Sequence, residues 1–221
     1  MSTLRPLPLP TFTPETAAPD SAARPASDVA FSPRVKAVQA RKGSRASYAR
    51  MEQGHGWRTE VDDDLRAFLA GRDSAFLATA SAEGQPYVQH RGGPAGFIRV
   101  LDAHTLAFAE FDGNRQFITQ GNLEENPRAQ LFLVDHATRR RVKVWGRARV
   151  VEGDAALLER LMPAGYTARA TGVLVFEVSA WDANCPQHIP LKFDAADVQA
   201  ALDARDARIA ALEAELRQLR R

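Results

Sequence analysis

The spacing of hydrophobic and polar positions divides the chain into recognisable elements. Residues 75–80 (AFLATA) form a short apolar run with the character of a buried strand. Residues 82–85 (AEGQ) then turn the chain, with Gly84 supplying the unusual dihedral, and residues 87–91 (YVQHR) return as the partner strand. A second hairpin is expected between residues 97–101 (FIRVL) and 105–111 (TLAFAEF), across Asp102-Ala103-His104. Residues 117–123 read as a helix or turn, and Asn126-Pro127 ends that segment. Residues 129–134 (AQLFLV) and 172–178 (GVLVFEV) are largely apolar strands, and 141–151 (RVKVWGRARVV) is a long strand that alternates basic with apolar residues. Between the last two, residues 155–162 make a short amphipathic helix stopped by Pro163. Many short strands at regular spacing, with few helices, predict a closed or nearly closed antiparallel barrel.

Helical patterns flank this region. Ser32-Pro33 is a helix start, with Ser as cap and Pro at the first helical position, and residues 31–49 carry a weak apolar stripe. Arg34, Lys36, Arg41, Lys42, Arg45 and Arg50 make this segment basic. Two readings stay open: a surface for nucleic acid or phosphate, or a solvated helix face against an acidic neighbour. Residues 62–71 (DDDLRAFLAG) read as a helix with acids in its first turn and Gly71 as its stop. At the C-terminus, Asp194 is a candidate cap. Val198, Leu202, Ile209, Leu212, Leu216 and Leu219 follow at steps of four and three, with Arg205 interrupting the seam. That stripe suits either self-association or packing back on the barrel. The expected organisation is a flexible Pro/Ala-rich tail over 1–30, a barrel domain with N-terminal helices over 31–193, and an amphipathic helix over 194–221. The tail is alternatively an arm that orders against a partner subunit.

Composition narrows the class. With 221 residues, 45% hydrophobic and 25% charged, the chain has the material for one globular domain with extensions. A net charge of +2 argues weakly for any acidic partner. The single cysteine, Cys185, rules out an intrachain disulfide and suits a reducing cytoplasm. No apolar run reaches bilayer-spanning length, and residues 1–27 lack the apolar core of a signal peptide. Cys185 and His188 have the spacing of half a metal site, but no second pair of ligands accompanies them, so no metal is expected. Neither a GxGxxG after a strand, nor a P-loop, nor a GxSxG occurs.

Candidate chemistry concentrates in residues 87–116, where polar and cationic groups sit at both ends of a strand pair: Gln89-His90-Arg91 and Asn114-Arg115-Gln116. Ordinary strand pairs do not need such groups at both ends, whereas a bound anion or a flat polar ligand would. His90 is a candidate proton donor or, equally, a hydrogen-bonded structural histidine.

These blocks, with RRRVKVWGRARVVE and WDANCPQHIP further on, resemble the pyridoxamine 5′-phosphate oxidase-like family of FMN-binding split barrels, in its bacterial branch with HRGG, GNRQ and NCPQHIP. The resemblance covers about residues 31–193. It implies a six-stranded antiparallel split β-barrel, a homodimer, and FMN at the subunit interface. Carried over, Gln89, His90, Arg91, Gly92 and Gly93 would run along the isoalloxazine and ribityl chain. Phe108, Ala109 and Phe111 would border the ring, and Asn114, Arg115 and Gln116 would hold the phosphate. Arg141 and Lys143 would face the site from the next strand. Trp181, Asn184, Gln187 and His188 would come from the other subunit. Gln116 stands where the oxidase has a lysine, and the oxidase's substrate-binding residues toward the C-terminus are not found, so oxidation of pyridoxine phosphate is not expected. The expected function is an FMN-dependent oxidoreductase that moves electrons from transiently bound NAD(P)H to a small acceptor. The alternative is a non-enzymatic flavin-binding or sensor module.

Overall fold

A computed structural model describes residues 24–184 and 186–220. The expected tail falls mostly outside the described residues. Its last part does not: Ala26–Val29 form a 3-10 turn with Ser27 buried, and Ser27 Oγ donates to Glu52 Oε1 at 3.1 Å. The packed body therefore begins before Phe31.

The expected first helix is two, α1 (Pro33–Arg41) and α2 (Arg45–Gln53), broken at Gly43, whose φ of 83° is a left-handed conformation. Ser32 caps α1 by accepting from the Val35 N–H. Part of the basic segment is neutralised locally, because Arg45 pairs with Glu52 and Lys36 with Asp28. An aromatic chain docks these helices on the sheet: Phe31 meets Tyr48 and Trp57, and Trp57 stacks on Trp145 with centroids 4.5 Å apart. Helix α3 (Asp63–Ala70) follows the Asp62 cap and buries Leu65, Phe68 and Leu69.

Among the described residues, seven strands form one antiparallel sheet in the order β2-β1-β5-β6-β7-β4-β3. They are β1 (Ser74–Ala80), β2 (Pro86–Gly92), β3 (Arg99–Val100), β4 (Thr105–Phe111), β5 (Arg128–Asp135), β6 (Arg140–Val151) and β7 (Ala170–Asn184). Residues from β1, β4, β5, β6 and β7, together with α3, share one apolar core. The sheet thus curls around a single interior, as in a split β-barrel, and stays open between its edge strands β2 and β3. Among the described residues the strand count is seven, as in the sequence pattern, against the six that the resemblance implies; Phe97 and Ile98 are buried outside any strand, so β3 is two residues long where 97–101 is expected. On the reverse face of β4 and β7, helix α5 (Ala155–Leu161) buries Leu157 and Leu161 against Ala107, Val173 and Val175.

The largest departure from expectation is β7. It runs on past Val178 to Asn184 and pairs along β6, with the register shifting at Trp145/Gly146. Gly146 makes that crossing possible, since a Cβ there would lie 1.9 Å from the Glu177 carbonyl oxygen. Two further helices complete the described chain: α4 (Ile118–Glu125) and α6 (Ala195–Leu219). Asp194 stands at the cap position of α6 without a side-chain capping bond, and no residue of α6 is buried. The helix does not pack back on the barrel. Among the described residues, no helix is long and apolar enough to cross a membrane.

Candidate functional site

The open seam of the barrel holds the site. Along β2, side chains alternate between faces, so Gln89 and Arg91 turn to one side and Val88 and His90 to the other. Arg91 reaches across the gap to Glu110 of β4 and pairs with it at 2.8 Å. This ion pair links the β2 edge to β4, and both side chains are largely buried, at 14% and 16% exposed. Arg91 Nε and Glu110 Oε2 are buried without a hydrogen-bond partner. Burial pushes the Glu110 carboxyl above its ordinary value, and Arg91 offsets only part of that rise.

Next to this pair lies the loop 112–117. Asn114 accepts from the Gln116 N–H at 3.3 Å, an Asx turn that shapes the loop. Arg115 and Phe117 both adopt left-handed φ, 58° and 53°. Phe117 is the N-cap of α4 and makes no side-chain capping bond, so the first N–H groups of that helix are left to other acceptors. Arg115 is exposed and, among the described residues, has no ion-pair partner; its guanidinium lies 5.9 Å from the Phe117 ring centre. In the first turn of α4, Thr119 Oγ1 donates to Gln89 Oε1 at 2.9 Å. A cleft results, lined by Gln89, Arg91, Glu110, Phe111 and residues 112–117, with Glu152 at its rim. Chemically it offers a free guanidinium, an uncapped helix start and two orphaned buried polar atoms. That combination suits an anionic ligand that also carries hydroxyl or amide groups.

Of the residues expected at the site, Gln89, Arg91, Phe111, Asn114, Arg115 and Gln116 come together here. The others lie elsewhere within one chain. His90 faces outward, 2.8 Å from Ser74 Oγ and edge-on to Phe76. Gly92 and Gly93 serve internal packing: a Cβ would meet the His90 ring at 2.8 Å in one case and Phe97 at 2.9 Å in the other, and the Gly93 N–H is already bonded to the Asp73 carbonyl. Phe108 and Ala109 are core residues, 1% and 3% exposed. Arg141 and Lys143 occupy the opposite end of β6 from Val150, which lines the cleft. Nine residues of strand, roughly 30 Å, separate Arg141 from Val150. Trp181 is 1% exposed, donates to the Glu60 carbonyl at 2.7 Å and lies under Arg58, so its ring is occupied by its own chain. Asn184 pairs with Arg141 in the β6–β7 register, and Gln187 and His188 are exposed in the turn that follows, His188 with φ 63°. Arg141, Lys143, Asn184, Gln187 and His188 therefore belong to one end of the barrel, and the cleft to the other. Thr119 and Glu152 escaped the sequence reading. An Arg-containing turn running straight into a helix start was the signal for Thr119.

The sequence profile of the family described as pyridoxamine 5′-phosphate oxidase matches residues 61–185, more than half of the chain. The chain belongs to that family. No curated protein matches it. Among solved structures, it is similar to HupZ from Group A Streptococcus, with 18% identity over 60% of this chain and 99% of that one and a TM-score of 0.46. It is also similar to an FMN-binding protein from Syntrophomonas wolfei subsp. wolfei (11% identity, 66% and 97% covered, TM-score 0.41). A third is the protein related to general stress protein 26 from Clostridium acetobutylicum (14% identity, 61% and 94% covered, TM-score 0.42).

Proposed function

We propose that this protein binds FMN in the seam cleft and works as an FMN-dependent oxidoreductase. The observation that carries the reading is the free Arg115 guanidinium beside the uncapped start of α4. Arg115, the Gln116 amide and the first N–H groups of α4 would hold a phosphate dianion, as helix starts commonly do. Arg91 Nε and Glu110 Oε2 would donate to and accept from the hydroxyls of a ribityl chain, which relieves both orphaned atoms. Phe111, at the mouth, gives an apolar edge for a flat ring. Bound FMN would supply the redox chemistry, taking electrons from NAD(P)H and passing them to a small acceptor. The residues of this chain orient the ligand and set the charge around it.

The same reading makes the protein a cytoplasmic homodimer with its sites at the subunit interface. Exposed Phe76 and Val88, 42% and 59% accessible on the outer face of β1 and β2, supply apolar surface for that contact. Arg141, Lys143, Asn184, Gln187 and His188 would then reach the cleft from the partner subunit, since they cannot reach the cleft of their own. A second reading, a flavin-binding sensor without turnover, is favoured by His90, which turns away from the cleft and leaves no histidine among its lining residues.

The test is a titration of FMN into wild-type protein and the Arg115→Ala variant, followed by flavin fluorescence. Loss of a charge-assisted phosphate contact worth about 1.5–3 kcal/mol weakens binding roughly 10- to 150-fold. Equal affinity in the two proteins would sink the phosphate assignment. Oxidation of NADH or NADPH by the loaded wild-type protein separates the enzyme from the sensor.

A further inference from the structure

We infer that α6 pairs with α6 of a second copy of this chain as a parallel, two-stranded coiled coil. The helix spans 25 residues, about 37 Å, and buries none of them in its own chain. Its apolar stripe is fully displayed: Leu202, Ile209 and Leu216 are 43%, 50% and 53% exposed, and Val198, Leu212 and Leu219 are 45%, 40% and 83%. The steps of four and three place these residues in two alternating core rows. Leu202, Ile209 and Leu216 form one row, and Val198, Arg205, Leu212 and Leu219 the other.

The flanking charges select both the partner and its direction. In a parallel, in-register pair, Arg208 of one helix faces Glu213 of the other, and Glu215 faces Arg220. By symmetry each attraction occurs twice, and no flanking pair is like-charged. An antiparallel pair loses this match. One register sets Arg208 against its own copy and Asp206 against its own copy. Shifting by a heptad sets Arg208 against Glu215 but Asp206 against Glu213. Only the parallel arrangement of two identical helices satisfies all flanking charges. Within one helix, Glu213 has only a long contact to Arg217, at 3.8 Å and well exposed, so it remains free to turn to a partner. Ile209 with Leu212 is the β-branched and Leu combination that favours two strands. Arg205 interrupts the seam and enters a hole bordered by the other helix's Asp206, a single polar layer of the kind that fixes register at some cost in stability.

The test uses the full chain carrying Cys185→Ser, so that each engineered thiol is alone. With Leu219→Cys, the parallel pair brings the two thiols within disulfide reach, whereas either antiparallel register separates them by about 25 Å or more. In a glutathione redox buffer at micromolar protein, the expected result is a disulfide-linked dimer well above a control with Ala207→Cys on the opposite face of the helix. Adding Arg208→Glu should lower the linked fraction's equilibrium constant roughly tenfold, and adding Glu213→Arg to that variant should restore it. No linkage above the control, linkage indifferent to charge reversal, or a three-chain mass in solution would each overturn the inference.

Discussion

Replacing Glu110 by Gln tests the electrostatics of the seam directly. Glu110 is mostly buried beside Arg91, and burial raises its pKa despite the pairing. The folded protein therefore holds a proton on Glu110 at pH values where the unfolded chain has released it. Over that window, from the ordinary carboxylate pKa upward to the raised one, the folded state binds more protons, so stability falls as pH rises. One proton limits the slope to about 1.4 kcal/mol per pH unit. For a chain of this size that slope corresponds to roughly 3–6 °C in Tm per pH unit. Glu110→Gln abolishes this contribution. The difference in stability between variant and wild type, measured by urea denaturation from pH 4 to pH 8, should grow in the variant's favour through the window and then level off. Other carboxylates titrate in both proteins and cancel in the difference. A difference curve that is flat, or one that moves in the wild type's favour as pH rises, would show that burial does not raise the Glu110 pKa in the folded state.

Other perturbations have equally definite outcomes. Gly146→Ala forces a Cβ into the Glu177 carbonyl at the β6–β7 crossing and should cost about 1–3 kcal/mol or more, visible as a lower urea midpoint. Asp62→Ala removes the cap that accepts from the Leu65 N–H at 2.9 Å and should cost about 1 kcal/mol, a fall of a few degrees in Tm. Asp64 is held below the usual carboxylate range, first by its hydrogen bond from Arg140 and then by that from Arg58. Its stabilisation is present above the unfolded pKa and lost as pH falls through the folded one, so Asp64→Asn should flatten the acid limb of the stability curve.

The sequence carried most of the barrel because its strands are short, regularly spaced and punctuated by turns. It understated β7, since the apolar run ends at Val178 and the remainder of the strand is held by pairing with β6 and by the Arg58–Trp181 bridge, contacts distant in sequence. At the site, the period of two along β2 separates Gln89 and Arg91 from His90, so Gln89-His90-Arg91 is one polar block in sequence but not in space. The grouping of Arg141 and Lys143 with Asn184 follows from strand length and register, which a list of motifs does not contain. Glu110 read as one member of a strand, and its pairing across the seam depended on how the sheet curls.

A flavin held in the seam cleft would colour the protein and stabilise its fold. The most direct measurement is the absorbance spectrum of the purified protein, with a thermal melt as FMN is added. The expected result is a flavin band that travels with the protein, or a melting temperature that rises with FMN in the wild type and much less in Arg115→Ala. A colourless protein whose melting temperature ignores FMN would contradict it.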